Sequence, residues 1–449
     1  MGKGFAKVPR APRYVLANAT VPAVLLDKPP GKPGVLGKPD GDGLVTVDIT
    51  VKDGTIERID KPGRRTTTPK LDLDRGMVWP CFVDMHTHLD KGHIWPRRAN
   101  PDGTFDGALD AVTEDRRANW NARDVAARMD FAIRAAYAHG TALIRTHLDS
   151  SAPQHKISWP VFAETRDTWK GKVDLQAVTL LTVDEFLDEA TADSLIDTVA
   201  RYDGVLGAVT FMTPELEHAL EIMMLRAANR GLDLDFHVDE TGDPAANSLR
   251  VIADVALRTD FPGKITVGHC CSLANQTEAE AEATMDRVAE AGIAVVSLPM
   301  CNMYLQGRVT GETPHWRGVT RVHELAQRGV KVAVASDNTR DPFYAYGDLD
   351  MVEVFREAVR ILHLDHPIAP WPAIVTRLPA DIIGRPDRGA IRAGAPADLV
   401  LFTAREFTEF MARPQTERTV LRQGKAIDTT PPDYRELDEV LARRKRKRK

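Results

Sequence analysis

Short apolar runs alternate with longer amphipathic stretches along most of the chain from residue 81 onward. In the intervals, apolar residues recur at helical spacing, as from Val125 to His139 and from Glu278 to Ala291. This alternation is typical of a parallel sheet covered by helices, and eight repeats predict a closed barrel. The eight predicted strands run from Cys81 to His88, Thr141 to Asp149, Val173 to Thr182, Val205 to Met212, Leu232 to Glu240, Ile265 to Cys270, Ile293 to Met300 and Val330 to Asp337.

Both ends of the chain have a different pattern. Residues 1–80 contain short strands broken by Gly and Pro, and short strands return after Gly389. Neither segment is large enough to bury a core alone, so we expect the two to pair. The predicted fold class is α/β, a distorted TIM (β/α)8 barrel of residues 81–385 with a small β-sandwich built from residues 1–80 and 386–430. Residues 431–449 form a predicted basic tail.

Composition indicates a globular protein, with 43% hydrophobic and 27% charged residues among 449. No apolar run approaches the length of a membrane helix, and the N-terminal residues lack the apolar segment of a signal peptide. We therefore expect a cytoplasmic protein that does not bind membranes.

The charge distribution argues against a nucleic-acid surface. The net charge is −5, although the last seven residues are all Lys or Arg, so the rest of the chain is more acidic than the total suggests. Nucleic-acid binding needs positive charge clustered over the face that meets the phosphates. We interpret the tail as a solvated end and the partner as a small molecule.

The four cysteines, Cys81, Cys270, Cys271 and Cys301, are too few for a disulfide framework. No C-x-x-C pair is present to hold a structural zinc, which also excludes the P-C-x-x-C type of zinc deaminase. A reducing compartment is consistent with this usage.

Polar residues at the ends of four predicted strands are the candidate chemistry. His86 and His88 lie two residues apart on the first strand and therefore face the same side. A barrel brings the carboxyl ends of its strands to one mouth. Each residue alone has an ordinary explanation as a packed histidine or a helix cap, but their joint placement predicts a metal site. The others are His237 and Glu240 on the fifth strand, His269 on the sixth and Asp337 on the eighth.

These segments resemble the amidohydrolase superfamily, and within it the cytosine deaminase group. The similarity extends from about Leu36 to about Ile427. The motifs that carry it run from Asp84 to Lys91, Arg145 to Asp149, His237 to Glu240, Leu305 to Arg308 and Ala335 to Phe343.

The resemblance implies one divalent metal ion, zinc or iron, bound by His86, His88, His237 and Asp337. It implies that Glu240 is the proton shuttle, that His269 lies beside the attacking water, and that Asp337 orients this water. Binuclear members place a lysine at the end of the fourth strand, and the run from Val205 to Met212 has none. A mononuclear site is therefore expected.

The implied reaction is hydrolytic deamination of an amino-substituted nitrogen heterocycle, namely a cytosine-like pyrimidine, a triazine or a pterin. Hydroxide generated on the ion attacks the amino-bearing carbon, Glu240 moves a proton to the ring nitrogen, and ammonia leaves. An alternative within the group is cleavage of a different C–N bond, by release of an alkylamine or opening of a cyclic amide. A non-catalytic scaffold is disfavoured because every metal and shuttle position is filled. Members of this group often form homo-oligomers, but the sequence identifies no interface.

Residues of the substrate pocket depart from cytosine deaminases. Thr182 stands where they carry a glutamine, and a hydroxyl does not provide that paired donor and acceptor. Asn338 replaces an acid, and Phe343 stands where they often have Trp. These changes disfavour cytosine itself. Gln306 remains a candidate for ring recognition, with a loop-stabilising role as the alternative.

Arg145 and His147 share a face of the second strand. A position near the metal and a structural layer of ion pairs are equally compatible with this spacing.

Overall fold

The computed structural model describes residues 5–27 and 36–442, so residues 443–449 of the predicted basic tail lie outside the described residues. The chain forms two compact units. The sheet unit comprises Met1–Met85, Arg134–Leu143 and Asp350–Pro431. The barrel unit comprises His86–Ile133, Ile144–Leu349 and Pro432–Lys449.

The strands alternate with helices through the middle of the chain. The strands are β1 (Arg13–Pro22), β2 (Leu44–Lys52), β3 (Thr55–Asp60), β4 (Lys70–Asp72), β5 (Val78–Pro80), β6 (Phe82–Thr87), β7 (Thr141–Asp149), β8 (Asp174–Leu180), β9 (Leu206–Val209), β10 (Leu234–Val238), β11 (Ile265–His269), β12 (Ala294–Ser297), β13 (Val332–Val334), β14 (Leu399–Leu401), β15 (Thr419–Arg422) and β16 (Lys425–Ala426). The helices are α1 (Phe105–Asn119), α2 (Ala122–His139), α3 (His155–Trp169), α4 (Glu189–Tyr202), α5 (Leu216–Arg230), α6 (Ser248–Arg258), α7 (Glu278–Glu290), α8 (Pro299–Leu305), α9 (Val322–Gln327), α10 (Met351–Leu362), α11 (Arg377–Ile383), α12 (Phe407–Ala412) and α13 (Asp438–Leu441).

Strands β6 to β13 follow one another in space in the order of the sequence. They form a three-stranded sheet, β6-β7-β8, and a five-stranded sheet, β9 to β13, whose strands are parallel. Single parallel bridges between Val178 and Val205 and between Thr87 and Asp337 connect the two sheets at both edges. The eight strands thus complete a TIM-barrel-like ring, and each of the eight predicted runs contains one of them.

Seven of the eight barrel strands are shorter than the predicted runs, whereas β7 coincides with its run, and at three polar ends the backbone leaves the extended region. Asp239, His269 and Asp337 have φ of 48°, 69° and 60°. Left-handed backbone is uncommon outside glycine and is found at functional sites, where surrounding structure stabilises it. The candidate chemical groups therefore lie where the chain turns away from the strand.

The sheet unit contains two four-stranded sheets, β3-β2-β1-β4 and β16-β15-β14-β5. Side chains from both sheets join one buried hydrophobic cluster, Leu16 and Ile49 from the first sheet and Leu399 and Leu421 from the second. Each sheet therefore buries one face against apolar side chains of the other, as two small sheets must to be stable.

All four cysteines are buried and free, as expected from their number. Among the described helices, none has both the length and the apolar character required to cross a bilayer.

Gly207 on β9 occupies a position where backbones approach closely. A Cβ atom added there would lie 2.3 Å from Val178 Cγ1, 2.5 Å from the Asp235 carbonyl oxygen and 2.6 Å from that of Thr179. Two of these contacts are with backbone, which cannot move without disturbing the neighbouring strands. The Thr179 hydroxyl also donates to the Gly207 carbonyl at 2.9 Å.

We predict that Gly207→Ala lowers the free energy of unfolding by about 1–3 kcal/mol, because the added methyl overpacks the barrel wall. The midpoint of urea denaturation measures this. Gly41→Ala is the matched control, since a Cβ at Gly41 meets no atom within 4 Å. Equal midpoints for the two variants would contradict the packing of β9 described here.

Candidate metal centre

Two hydrogen bonds to its backbone hold Asp337 against the first barrel strand. Its N–H donates to the His86 carbonyl at 2.9 Å, and the Thr87 hydroxyl donates to its carbonyl at 2.8 Å. His86 and His88 point to the same side of β6, as their spacing predicts. Asp337 Oδ1 consequently lies 3.1 Å from His88 Nε2 and 3.7 Å from His86 Nε2.

His237 on β10 completes a set of four converging donors. Its Nε2 lies 3.1 Å from His86 Nε2 and 3.4 Å from His88 Nε2. Ligand atoms at 2.0–2.1 Å from a tetrahedral zinc are about 3.4 Å apart. The separations of His86 and His88 from His237 and from Asp337 are close to this value, and His86, His88 and Asp337 form one of the groups able to share an ion.

The three imidazoles are buried in a region that favours their neutral form. Burial lowers the pKa of His86, His88 and His237 well below the usual imidazole value, and neighbouring positive groups, including Lys91, lower it further. A neutral imidazole has a lone pair available for a metal. The Nδ1 atoms of these three residues and Asp337 Oδ2 are buried without a hydrogen-bond partner among the described residues.

His147 on β7 also lies at this cluster, with its ring centroid 4.0 Å from that of His86. His86, His147 and His237 form a second group able to share an ion. Its neighbour in the alternation, Arg145, instead makes a buried ion pair with Asp235 at 2.7 Å. Both predicted alternatives for β7 thus occur: His147 lies at the cluster of candidate metal ligands, and Arg145 forms a buried ion pair. Strand alternation predicts that the two side chains share a face, but not how deep each one lies.

Glu240 and His269 form a second group of polar side chains beside the four donors. Glu240 Oε1 lies 3.3 Å from His269 Nδ1. Asn302 on α8 donates to Glu240 Oε1 at 3.2 Å, and its Nδ2 lies 2.9 Å from His269 Nδ1. Gln306 donates to the Glu240 carbonyl at 3.0 Å. Asn302 was not predicted as a site residue. It lies on α8, four residues before Gln306 at the end of this helix, so the two side chains are on the same side of the helix.

The charges of this group are mutually dependent. Burial raises the pKa of Asp337 to about 7, with His269 opposing the shift and the Glu240 carboxylate adding to it. Burial by itself lowers the pKa of His269, but Glu240, assisted by Asp337, raises it above the ordinary value. A cation at the four donors would favour the ionised form of Asp337.

The predicted pocket residues Asn338 and Phe343 lie in the turn that follows Asp337. The Asn338 amide donates to Asp341 Oδ2 at 2.8 Å, and Asp341 Oδ1 accepts from the Phe343 N–H at 2.8 Å. The Lys91 ammonium lies 5.0 Å from the centroid of the Phe343 ring. Asp341 thus organises this turn, a contribution that the sequence did not reveal.

Thr182 lies beyond the end of β8 and is exposed. Its N–H is 3.4 Å from Glu185 Oε1, and its carbonyl accepts from the Glu185 N–H at 3.1 Å, at the start of the short 3-10 turn Val183–Leu187. These contacts give Thr182 a local structural role.

A cavity of about 500 Å³ opens beside the four candidate metal ligands, with His237 and Glu240 in its wall. Phe105 also lines it and packs edge-on against Phe343, with centroids 5.4 Å apart. Two apolar side chains of the wall, Phe211 and Met212, are 43% and 50% exposed, and a ligand could cover them. The remaining lining residues are Thr104, Asp106, Val209, Thr210, Val238, Asp239, Thr241, Asp243, Ala245, Ala246, Ser248, Leu305 and Gln306.

Comparison with known proteins gives matches over most of the chain. The model of the amidohydrolase family matches residues 189–428. A pterin deaminase from Rhizobium rhizogenes is 59% identical over 98% of this chain and 100% of its own length. N-isopropylammelide isopropyl amidohydrolase from Pseudomonas sp. is 22% identical over 80% of this chain and 87% of its own.

Solved structures share the fold. The 5-methylcytosine deaminase from Klebsiella pneumoniae liganded with 5-fluorocytosine has a TM-score of 0.77 at 23% identity, covering 92% of this chain and 97% of that one. N-isopropylammelide isopropylaminohydrolase from Burkholderia multivorans has a TM-score of 0.73 at 23% identity, covering 94% of this chain and 100% of that one.

We predict that the purified protein contains one divalent ion per chain and that Asp337→Ala or His237→Ala reduces its affinity for the ion at least about tenfold. Each substitution removes one of the four donors that converge here. Elemental analysis after dialysis against a fixed low concentration of free metal measures the ion content. His366→Ala, at an exposed histidine of the sheet unit, is the control. An unchanged ion content in both site variants would exclude this cluster as the metal centre.

Proposed function

Since the chain belongs to the amidohydrolase family, we propose that it is a metal-dependent pterin deaminase that hydrolyses the exocyclic C–N bond of a 2-amino-4-oxopteridine and releases ammonia. Membership of the family confirms the resemblance carried by the sequence motifs. Hydrolytic deamination of a nitrogen heterocycle, a C–N bond hydrolysis outside peptides, is confirmed as the reaction class by the 59% identical relative. The choice of a pterin rests on that relative together with the cavity beside Glu240.

The family is metal-dependent, and we assign one zinc or iron ion to His86, His88, His237 and Asp337. Three imidazole nitrogens and one carboxylate are donors suited to either metal. Such an ion lowers the pKa of a bound water so that a nucleophile is available at neutral pH. A single ion is favoured because Thr210 and Phe211, not a lysine, follow β9.

Glu240 is the proposed proton shuttle. Its carboxylate lies in the cavity wall next to His237, and the bond from Asn302 to Oε1 fixes its orientation. From there it can take a proton from water and return it to the ring nitrogen next to the carbon under attack. The other proton of the attacking water, accepted by Asp337, then passes to the amino group, so that ammonia leaves and a ring carbonyl forms.

His269 and Asp337 are the proposed partners of Glu240. His269 Nδ1 faces Glu240 and Asn302, whereas its Nε2 has no partner within the described chain and is free to donate to the oxygen that develops charge. Asp337 orients the attacking water through the same carboxylate that joins the metal ligands.

The pocket wall supports a bicyclic substrate. Cavities of about 300–1,000 Å³ hold drug-sized ligands, so about 500 Å³ exceeds the need of a single six-membered ring. Phe105, Phe211 and Met212 provide apolar surface for the ring faces. Gln306, through its amide, is the proposed edge-recognition residue, with Asn338 and Phe343 shaping the adjacent turn. Contact between Thr182 and the substrate remains a prediction from the sequence.

We also propose that the domains around the site are those predicted from the sequence. The barrel of residues 81–385 is distorted, and residues 1–80 and 386–430 form a β-sandwich, supported by the shared hydrophobic cluster of the two four-stranded sheets. The acidic composition outside the last seven residues supports a small-molecule partner over nucleic acid.

Glu240→Gln is expected to lower kcat by about 10²–10⁴-fold or more, because the amide cannot carry a proton between water and the ring. Metal content should be unchanged, since Glu240 is not among the four donors. Steady-state ammonia release and elemental analysis together measure both quantities. The matched control is Glu282→Gln, at an exposed position of α7. A Glu240→Gln enzyme with the activity of the control would remove the proton shuttle from the proposal.

A substrate panel tests the choice of ring. We expect kcat/KM for pterin to exceed that for cytosine and for aminotriazines at least about tenfold, corresponding to about 1.4 kcal/mol of transition-state discrimination. N-isopropylammelide belongs in the panel, with isopropylamine measured beside ammonia. Preferential release of isopropylamine would support cleavage of a different C–N bond and reject pterin deamination.

A further inference from the structure

The last described part of the chain, residues 432–442, belongs to the barrel unit and lies against two loops that follow barrel strands. The first-strand loop is residues 88–97, after β6, and the eighth-strand loop is residues 337–348, after β13. Each loop begins with one of the proposed metal ligands. We propose that Tyr434 is a positioning residue for the metal centre, because its ring holds the two loops together through Arg340.

The two loops are bonded to each other close to the ligands. The Thr339 carbonyl accepts from the His93 N–H at 2.9 Å, and the Arg340 carbonyl accepts from the Trp95 N–H at 2.8 Å. His93 and Arg340 both have left-handed backbone, with φ of 67° and 49°. Such residues keep this conformation only where the surrounding structure stabilises it. The path of the backbone that places Asp337, three residues before Arg340, therefore depends on what packs against this junction.

Tyr434 packs against the junction from outside. The Arg340 guanidinium lies over its ring, 4.1 Å from the centroid, and its hydroxyl donates to Asp348 Oδ1 at 2.8 Å. The centroids of the Phe131 and His93 rings are 5.5 Å and 6.2 Å away. A guanidinium over an aromatic face and a hydrogen bond to a carboxylate are both favourable contacts. One side chain therefore joins the eighth-strand loop at two points and lies beside the first-strand loop.

The other end of the segment is attached to the first-strand loop. Arg97 donates to the Val440 carbonyl at 3.0 Å and is itself paired with the buried Asp115 at 2.8 Å. Leu437, between the two attachments, is buried. A cavity of about 330 Å³ is lined by residues of both loops and of the segment. The segment thus touches the loops at few points, so that removal of one contact loosens their junction.

The position of the loops determines which kinetic constant should respond. Among the described residues, neither loop lines the cavity beside Glu240, so the contact acts on Asp337 and the ion that it holds rather than on binding of the ring. Loosening should therefore speed metal release and lower kcat more than it changes KM. The effect on kcat rests on the proposed deaminase function, whereas the effect on metal release does not.

The experiment uses the full chain loaded with one equivalent of zinc, with release to an excess of a colorimetric chelator followed in time. Tyr434→Ala should release zinc about tenfold faster than the wild type, because both contacts are lost. Its kcat should fall about tenfold while KM changes less than about threefold. Tyr434→Phe keeps the ring under Arg340 and should recover most of both losses.

Arg435→Ala is the matched control, since the Arg435 side chain pairs with Asp433 of the same segment at 2.9 Å. Zinc release from Tyr434→Ala at the rate of this control would overturn the proposal, even with a lower midpoint of urea denaturation, because the segment would then only stabilise the fold. A Tyr434→Phe variant that releases zinc as fast as Tyr434→Ala would reject the ring contact as the link.

A second variant tests the same contact from the other side if Tyr434→Ala does not fold. Arg340→Met removes the guanidinium and keeps an unbranched side chain, so zinc release should be at least about threefold faster. Release at the wild-type rate would reject the proposal. A wild type without ammonia release, but with zinc release that depends on Tyr434, would reject the deaminase and support the positioning role. Ammonia release by the wild type together with equal zinc release in all variants would reject the positioning role alone.

Discussion

The local structure of this site depends on the mutual approach of four electron-rich atoms in a buried region. The Nε2 atoms of His86 and His88 lie 3.1 Å to 3.7 Å from His237 Nε2 and from Asp337 Oδ1. Neutral imidazoles turned toward each other at these distances gain little without a cation between them, and the burial that keeps them neutral also strengthens their interaction with one. The barrel imposes this approach, because the carboxyl ends of its parallel strands surround a single mouth.

Beside the donors, Asn302 links Glu240 to His269, and Gln306 holds the Glu240 backbone. The proton-carrying group is therefore positioned from α8, an element other than those that provide the metal ligands. Because of this separation, changes in the residues after the seventh barrel strand can alter the position of the acid and the shape of the cavity without altering the four donors.

Much of this arrangement was predictable from the sequence, for an identifiable reason. Eight apolar runs predicted the eight barrel strands, and the polar residues at four strand ends predicted a metal site, because strand alternation and a common barrel mouth convert sequence position into spatial position. The family resemblance then implied which of these residues are the donors. Side-chain depth does not follow from alternation, so the sequence could not predict that His147 lies at the candidate metal ligands whereas Arg145 forms an ion pair with Asp235. Asn302 and Asp341 lie in a helix and a turn after the strands, where contacts depend on the path of the backbone and on left-handed residues that the pattern does not encode.

The bridge between Thr87 and Asp337 is where the ring of eight strands closes, and Asp337 is also one of the four donors. The last barrel strand to be completed along the chain is thus joined to the first by the residue that an ion would hold in place. An ion that binds only the closed ring would add its binding free energy to the hydrogen bonds at this edge. At low metal concentrations the edge would lose that stabilisation and open to proteases more often, so metal supply would affect how much protein accumulates as well as how active it is.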